Sequence, residues 1–260
     1  MDRQVILIGF GASVAAGMAT GLGAALVLFV RRISDALNDG LLGFAAGVML
    51  AASFFSLIIP GMQHAEAGTG SKVLAALIVI VALLAGAAAI AVMNRYAPHE
   101  HFLLGPKGVD ARLLQRIWLF VIAITLHNFP EGLAVGVGFG SGDLANGTAL
   151  AIGIGLQNIP EGLAVAVALL SLGYSRLAAF SVGAATGLVE PVGGLLGVAA
   201  VTVFQPLLPW GLGFAAGAML FVVSNEIVPE THRRGHEGPA TFGLMIGLVL
   251  MMFLDVVLTK

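Results

Sequence analysis

Residues 127–135 read His-Asn-Phe-Pro-Glu-Gly-Leu-Ala-Val, and residues 157–165 read Gln-Asn-Ile-Pro-Glu-Gly-Leu-Ala-Val, thirty positions further on. Both copies lie inside long apolar segments, which makes each one a membrane helix with an acid near its middle. An ionised carboxylate at the centre of a bilayer costs between about 3 and 17 kcal/mol, so Glu131 and Glu161 require a cation, a proton or water beside them. His127 and Glu131 are four apart, as are Gln157 and Glu161. That spacing puts each pair of donors on one helical face. Imidazole nitrogen, amide oxygen and carboxylate together suit a first-row divalent metal, and two such faces can clasp one ion.

Composition agrees with a chain dissolved mostly in lipid: of 260 residues, 58% are hydrophobic and 10% charged, and the mean hydropathy is +1.01. Segments long enough to span are 5–30, 41–61, 72–94, 114–138, 145–171, 177–203, 207–229 and 239–258. The expected fold is therefore all-α, a single polytopic transmembrane domain of eight helices over residues 1–260. The first helix lacks a small-residue cleavage site followed by a soluble chain, so it is expected to stay uncleaved. Zero cysteines exclude disulfides and thiolate metal sites. The lipid bilayer is the expected surroundings, and no nucleic-acid partner is expected.

Orientation follows from basic residues on alternate loops. One side carries Arg31, Arg32, Arg95, Lys107, Arg112, Arg116, Arg176, Arg233 and Arg234, against Arg3, Lys72 and Lys260 on the other. The positive-inside rule then puts both termini outside the cytoplasm, with the chain in the cytoplasmic (inner) membrane.

A second repeat spans the chain: Leu-Gly-Phe-Ala-Ala-Gly-Val-Met-Leu at 42–50 recurs at 212–220 with eight of nine positions identical. By the alternating topology the second and seventh helices run oppositely, as do the fourth and fifth. This is the trace of inverted repeats, around which secondary transporters build an alternately accessible site near the midplane. The expected interruptions are Pro130 and Pro160, each lacking an N–H and crowding the carbonyl four residues earlier, at Leu126 and Leu156. The 36 glycines allow close helix approach and permit a homodimer.

The paired motifs, the eight helices, the inverted symmetry and the histidine-bearing third connection resemble the ZIP (Zrt-/Irt-like) metal transporters, specifically their bacterial GufA-like branch. The resemblance covers nearly the whole chain and implies uptake of a divalent metal: zinc, with iron, manganese, cobalt or cadmium as further cargo, and no prosthetic group. It implies one metal held by Met49, His127, Glu131, Gln157 and Glu161, and a second by Asn128, Glu131, Asn158, Glu161 and Glu190, the two motif glutamates bridging them. Asn158 departs from the aspartate expected there, and Gln63 and Asn225 stand where an aspartate and a histidine are expected on the path.

Each candidate also has a plainer reading. A single buried histidine serves equally well as a hydrogen-bonded packing residue; the Pro-Glu partner and the repeat favour the ligand role for His127. Without the resemblance Met49 reads as packing. Glu190 suits metal contact, a proton or an ion pair, and Ser56 and Asp255 suit carbonyl or interhelical hydrogen bonds. A group of donors on the cytoplasmic side, His99 and His101 in one loop and Glu226, His232 and His236 at the inner end of the seventh helix, is suited to receive metal leaving the pore. A zinc peptidase would instead carry His-Glu-x-x-His, and Asn128 follows His127 here. A carrier or channel for a non-metal solute leaves the donor cluster unexplained. No catalytic residue is expected.

Overall fold

The computed structural model describes residues 3–30, 33–96, 111–232 and 235–259. Among them are eight helices long and apolar enough to cross a membrane: α1 (Arg3–Phe29), α2 (Asp35–Thr69), α3 (Lys72–Arg95), α4 (Leu113–Gly140), α5 (Leu144–Ser171), α6 (Arg176–Val203), α7 (Gln205–Thr231) and α8 (Glu237–Leu258). The expected spans match these helices to within a few residues except in α2, whose 35 residues start and end beyond the expected 41–61. At 1.5 Å per residue it is about 50 Å long, so it projects past a hydrocarbon core of about 30 Å.

Local sequence explains the ends. Ser34, Asp143 and Ser175 cap α2, α5 and α6, each accepting hydrogen bonds from first-turn N–H groups. The α4–α5 connection turns at Gly142, whose φ of 84° is in the region that glycine tolerates best.

The principal pairings are α1 with α5, α4 with α6, α2 with α8 and α3 with α7. They divide the helices into a group of α1, α4, α5 and α6 and a group of α2, α3, α7 and α8. Under the repeat that relates α1, α2, α3 to α6, α7, α8 and α4 to α5, each of these pairings maps onto another, as inverted repeats require. Gly17 and Gly187 lie at equivalent places in α1 and α6, and a side chain on either would strike the other's carbonyl. The pseudo-twofold relation therefore passes between them.

The breaks in regular helix fall elsewhere than expected. Helices α4 and α5 continue through Pro130 and Pro160, because a proline removes one internal hydrogen bond without reversing the chain. Instead, α2 widens into a π-helical stretch at Ala52–Ile58 and α7 into another at Val223–Ile227. These lie at equivalent positions of the two repeats, each just before a proline, Pro60 or Pro229. Pro60 leaves the Ser56 carbonyl without its helical donor, and Asn146 Nδ2 on α5 supplies one at 3.2 Å. The Ser56 hydroxyl donates to Asp255 Oδ1 on α8 at 2.8 Å, so these two polar residues serve each other across helices. In α6, a 3₁₀ turn at Gly187–Val189 re-aims the chain and starts the second half of the helix at Glu190.

Candidate functional site

Glycines let the motif helices close on their neighbours. A Cβ at Gly132 would strike the Glu190 carbonyl, and one at Gly162 the Thr20 carbonyl; reciprocally, Gly193 faces the Phe129 carbonyl and Gly23 that of Ile159. The α4–α6 and α1–α5 pairs thus approach backbone to backbone at the motifs, which seals the following polar groups from lipid.

His127, Asn128, Glu131, Gln157, Asn158, Glu161, Glu190 and Met49 are all buried, none more than 1% exposed. Gln157 Nε2 donates to Glu131 Oε1 at 2.5 Å and joins the two motif helices. Asn158 Nδ2 donates to Glu190 Oε1 at 2.8 Å and to the Ala16 carbonyl at 2.9 Å. Thr20 Oγ1 donates to the same Glu190 oxygen at 3.4 Å.

What these bonds leave over is more informative than what they satisfy. Both oxygens of Glu161, Oε2 of Glu131 and of Glu190, Oε1 of Gln157, Oδ1 of Asn158, both side-chain polar atoms of Asn128 and Nδ1 of His127 are buried without a hydrogen-bond partner among the described residues. Buried polar atoms are ordinarily paired, and a stranded carboxylate is among the costliest exceptions. Unpaired oxygen and nitrogen atoms on α4, α5 and α6 are of the chemical kinds that divalent cations take as ligands. Among the described residues no three His, Asp or Glu side chains converge into a metal-holding group by themselves. The amide of Gln157 instead binds Glu131, and that of Asn158 binds Glu190.

The exit-path candidates separate. Glu226 lies in the π-helical stretch of α7, where Oε2 is 2.9 Å from His127 Nε2 and Oε1 accepts from Asn94 Nδ2 on α3 at 2.5 Å. It therefore touches the motif rather than standing apart at the helix end. His232 is folded back on its own helix, its Nδ1 2.9 Å from the Val228 carbonyl. His236 Nδ1 is 2.9 Å from Asp39 Oδ2, bridging the starts of α8 and α2. His99 and His101 lie outside the described residues.

A cavity of about 640 Å³ opens at the end of the bundle that carries Arg116 and reaches Asn225 and Glu226. Asn38, Asp39 and Glu230 add polar lining, and Arg116 lies 3.4 Å from Glu230 at its mouth. The cavity thus reaches Glu226, the carboxylate in contact with His127.

Sequence reasoning missed Asp39, Asn94 and Thr20. Thr20 had a signal: it stands 170 positions before Glu190, the same offset as the 42–50 and 212–220 repeat. Asp39 and Asn94 sit near helix ends, where polar residues are commonplace, and only tertiary contact distinguishes them.

Residues 104–255 match the family model described as ZIP zinc transporter. The chain is 50% identical over 245 residues, 94% of its length and 79% of the relative's, to a protein from Bordetella bronchiseptica named zinc transporter ZIPB. It is 46% identical over 247 residues, 95% of this chain and 97% of the other, to zinc transporter GufA of Myxococcus xanthus. Similarity extends to zinc transporter ZIP11 of Homo sapiens, at 35% over 318 residues with 91% and 93% coverage. With the family model covering more than half of the sequence and these relatives nearly all of it, the chain belongs to the ZIP zinc transporter family.

Proposed function

We propose that the chain carries divalent metal ions, zinc first, across the cytoplasmic membrane toward the cytoplasm. The observation that carries this reading is Glu161, a fully buried acid in a membrane helix whose two oxygens have no protein partner. Neutralising such a group takes a cation or a proton. Met49, His127, Glu131, Gln157 and Glu161 hold the ion, with soft sulfur and imidazole favouring zinc or cadmium over harder cations. The relatives' names as zinc transporters support the same cargo.

The basic residues put both termini outside, so the large cavity faces the cytoplasm. Metal then leaves past Glu226, whose carboxylate meets His127 on one side and the cavity on the other. Access alternates as the group bearing the motifs moves against the group of α2, α3, α7 and α8. Ligands bind metal deprotonated, so a proton arriving from the cavity competes with the ion and assists its release.

Purified protein in proteoliposomes tests this directly: zinc should accumulate down its gradient, with cadmium competing and sodium without effect. Vesicles carrying the protein that take up no more zinc than empty ones would refute the proposal. Repeating the assay with an imposed pH gradient reads out proton coupling.

A further inference from the structure

Asn158 is fully buried, and its amide nitrogen donates to acceptors on two other helices, the Ala16 carbonyl at 2.9 Å and Glu190 Oε1 at 2.8 Å. A carbonyl only accepts, so this partner fixes which end of the amide is nitrogen. Both amide hydrogens are thereby used. Thr20 Oγ1 donates to the same Glu190 oxygen at 3.4 Å, so donors from α1 and α5 converge on the α6 acid. Hydrogen bonds of this kind take over part of the role that a cation plays for a buried carboxyl oxygen.

We propose, resting on the reading of this region as the metal-carrying site, that it holds a single metal ion and that Asn158 positions Glu190 through its amide nitrogen, so that the unpartnered Asn158 Oδ1 and Glu190 Oε2 face the same ion and not a second one. The amide hydrogens occupy the approach to Glu190 Oε1 and fasten α6 to α5 and α1. An aspartate in the same place would set a carboxylate oxygen about 2.8 Å from Glu190 and about 2.9 Å from a carbonyl. Two carboxylates at that separation in a dry site cannot both stay ionised unless a proton or a metal cation stands between them, and zinc in excess displaces the proton. The identity of residue 158 therefore sets the number of ions.

Zinc calorimetry with elemental analysis of the full-length protein in detergent tests the proposal. The wild type should bind one zinc per chain and Asn158→Asp two. Metal-free Asn158→Asp should melt below the wild type and recover its stability in zinc, a response that simple loss of packing does not give. Asn158→Ala should also melt lower yet still bind one zinc. If Asn158→Asp is too unstable without metal, it is purified in zinc and its metal count alone decides: two supports the proposal and one overturns it. Two zincs in the wild type falling to one in Asn158→Ala would make Asn158 a ligand of a second ion and overturn it as well. His127→Ala separates the two readings. If the wild type binds two and His127→Ala loses one, the carrier site stands and the single-ion proposal fails. If His127→Ala keeps all the zinc of the wild type, the site itself is misplaced and the proposal falls with it.

Discussion

Replacing Gly162 by alanine should weaken the protein, although alanine is the better helix former. In helices measured in water, glycine to alanine gains up to about 1 kcal/mol. At position 162, however, the added methyl would strike the Thr20 carbonyl on α1, a backbone atom in the middle of a packed helix that has no rotamer to change. Overpacking a well-filled interior costs about 1–3 kcal/mol, and the rigid neighbour puts this site toward the upper end. The balance is a loss of about 1–2 kcal/mol, or roughly 2–8 °C in melting temperature for a chain of this size. Gly155 on the same helix is the control, because its added methyl would meet nothing closer than Ala16 Cα at 4.0 Å. Gly155→Ala should match the wild type or melt slightly higher. Thermal unfolding in detergent, followed by size-exclusion recovery, measures both variants. Equal melting temperatures for Gly162→Ala and Gly155→Ala would refute the close approach of α1 and α5.

Glu161→Ala should abolish zinc uptake while leaving the metal-free protein at least as stable as the wild type, since neither oxygen has a protein hydrogen bond to lose; retained uptake at normal expression would remove Glu161 from the site. Asp143→Ala should lower stability by about 1 kcal/mol, because Asp143 Oδ1 accepts from the first-turn N–H groups of Ala145 and Asn146, and an unchanged melting temperature would deny the cap. A cysteine at Ser141 should react with a membrane-impermeant thiol reagent in intact cells, whereas one at Gly105, or at Ser171 on the cavity wall, should not; the reverse pattern would invert the topology.

Much of this architecture was legible because membrane helices are written in composition and the site in a duplicated motif. Glu131 and Glu161 stand out as acids in apolar runs, and the recurrence of 42–50 at 212–220 points to the inverted pairing. The bends were less legible. Proline is the visible helix breaker, yet Pro130 and Pro160 sit in continuous helices, while the π-helical stretches precede Pro60 and Pro229 and depend on partners such as Asn146 and Asp255 from other helices. Glu226 was visible as a donor but not as a neighbour of His127. Its approach is set by how α7 packs beside α4 and α3, information that no local pattern holds. For Asn158 the sequence gives the residue type, and only its two acceptors show what the amide does.

On the proposed function, metal is held between α4 and α5 by the two motifs. Zinc-loaded protein, diffracted on both sides of the zinc absorption edge, tests it most directly. An anomalous peak within bonding distance of His127, Glu131, Gln157 and Glu161 is the predicted result, and it should vanish in Glu161→Ala. A peak elsewhere in the bundle, with these side chains still paired only to protein, would contradict it.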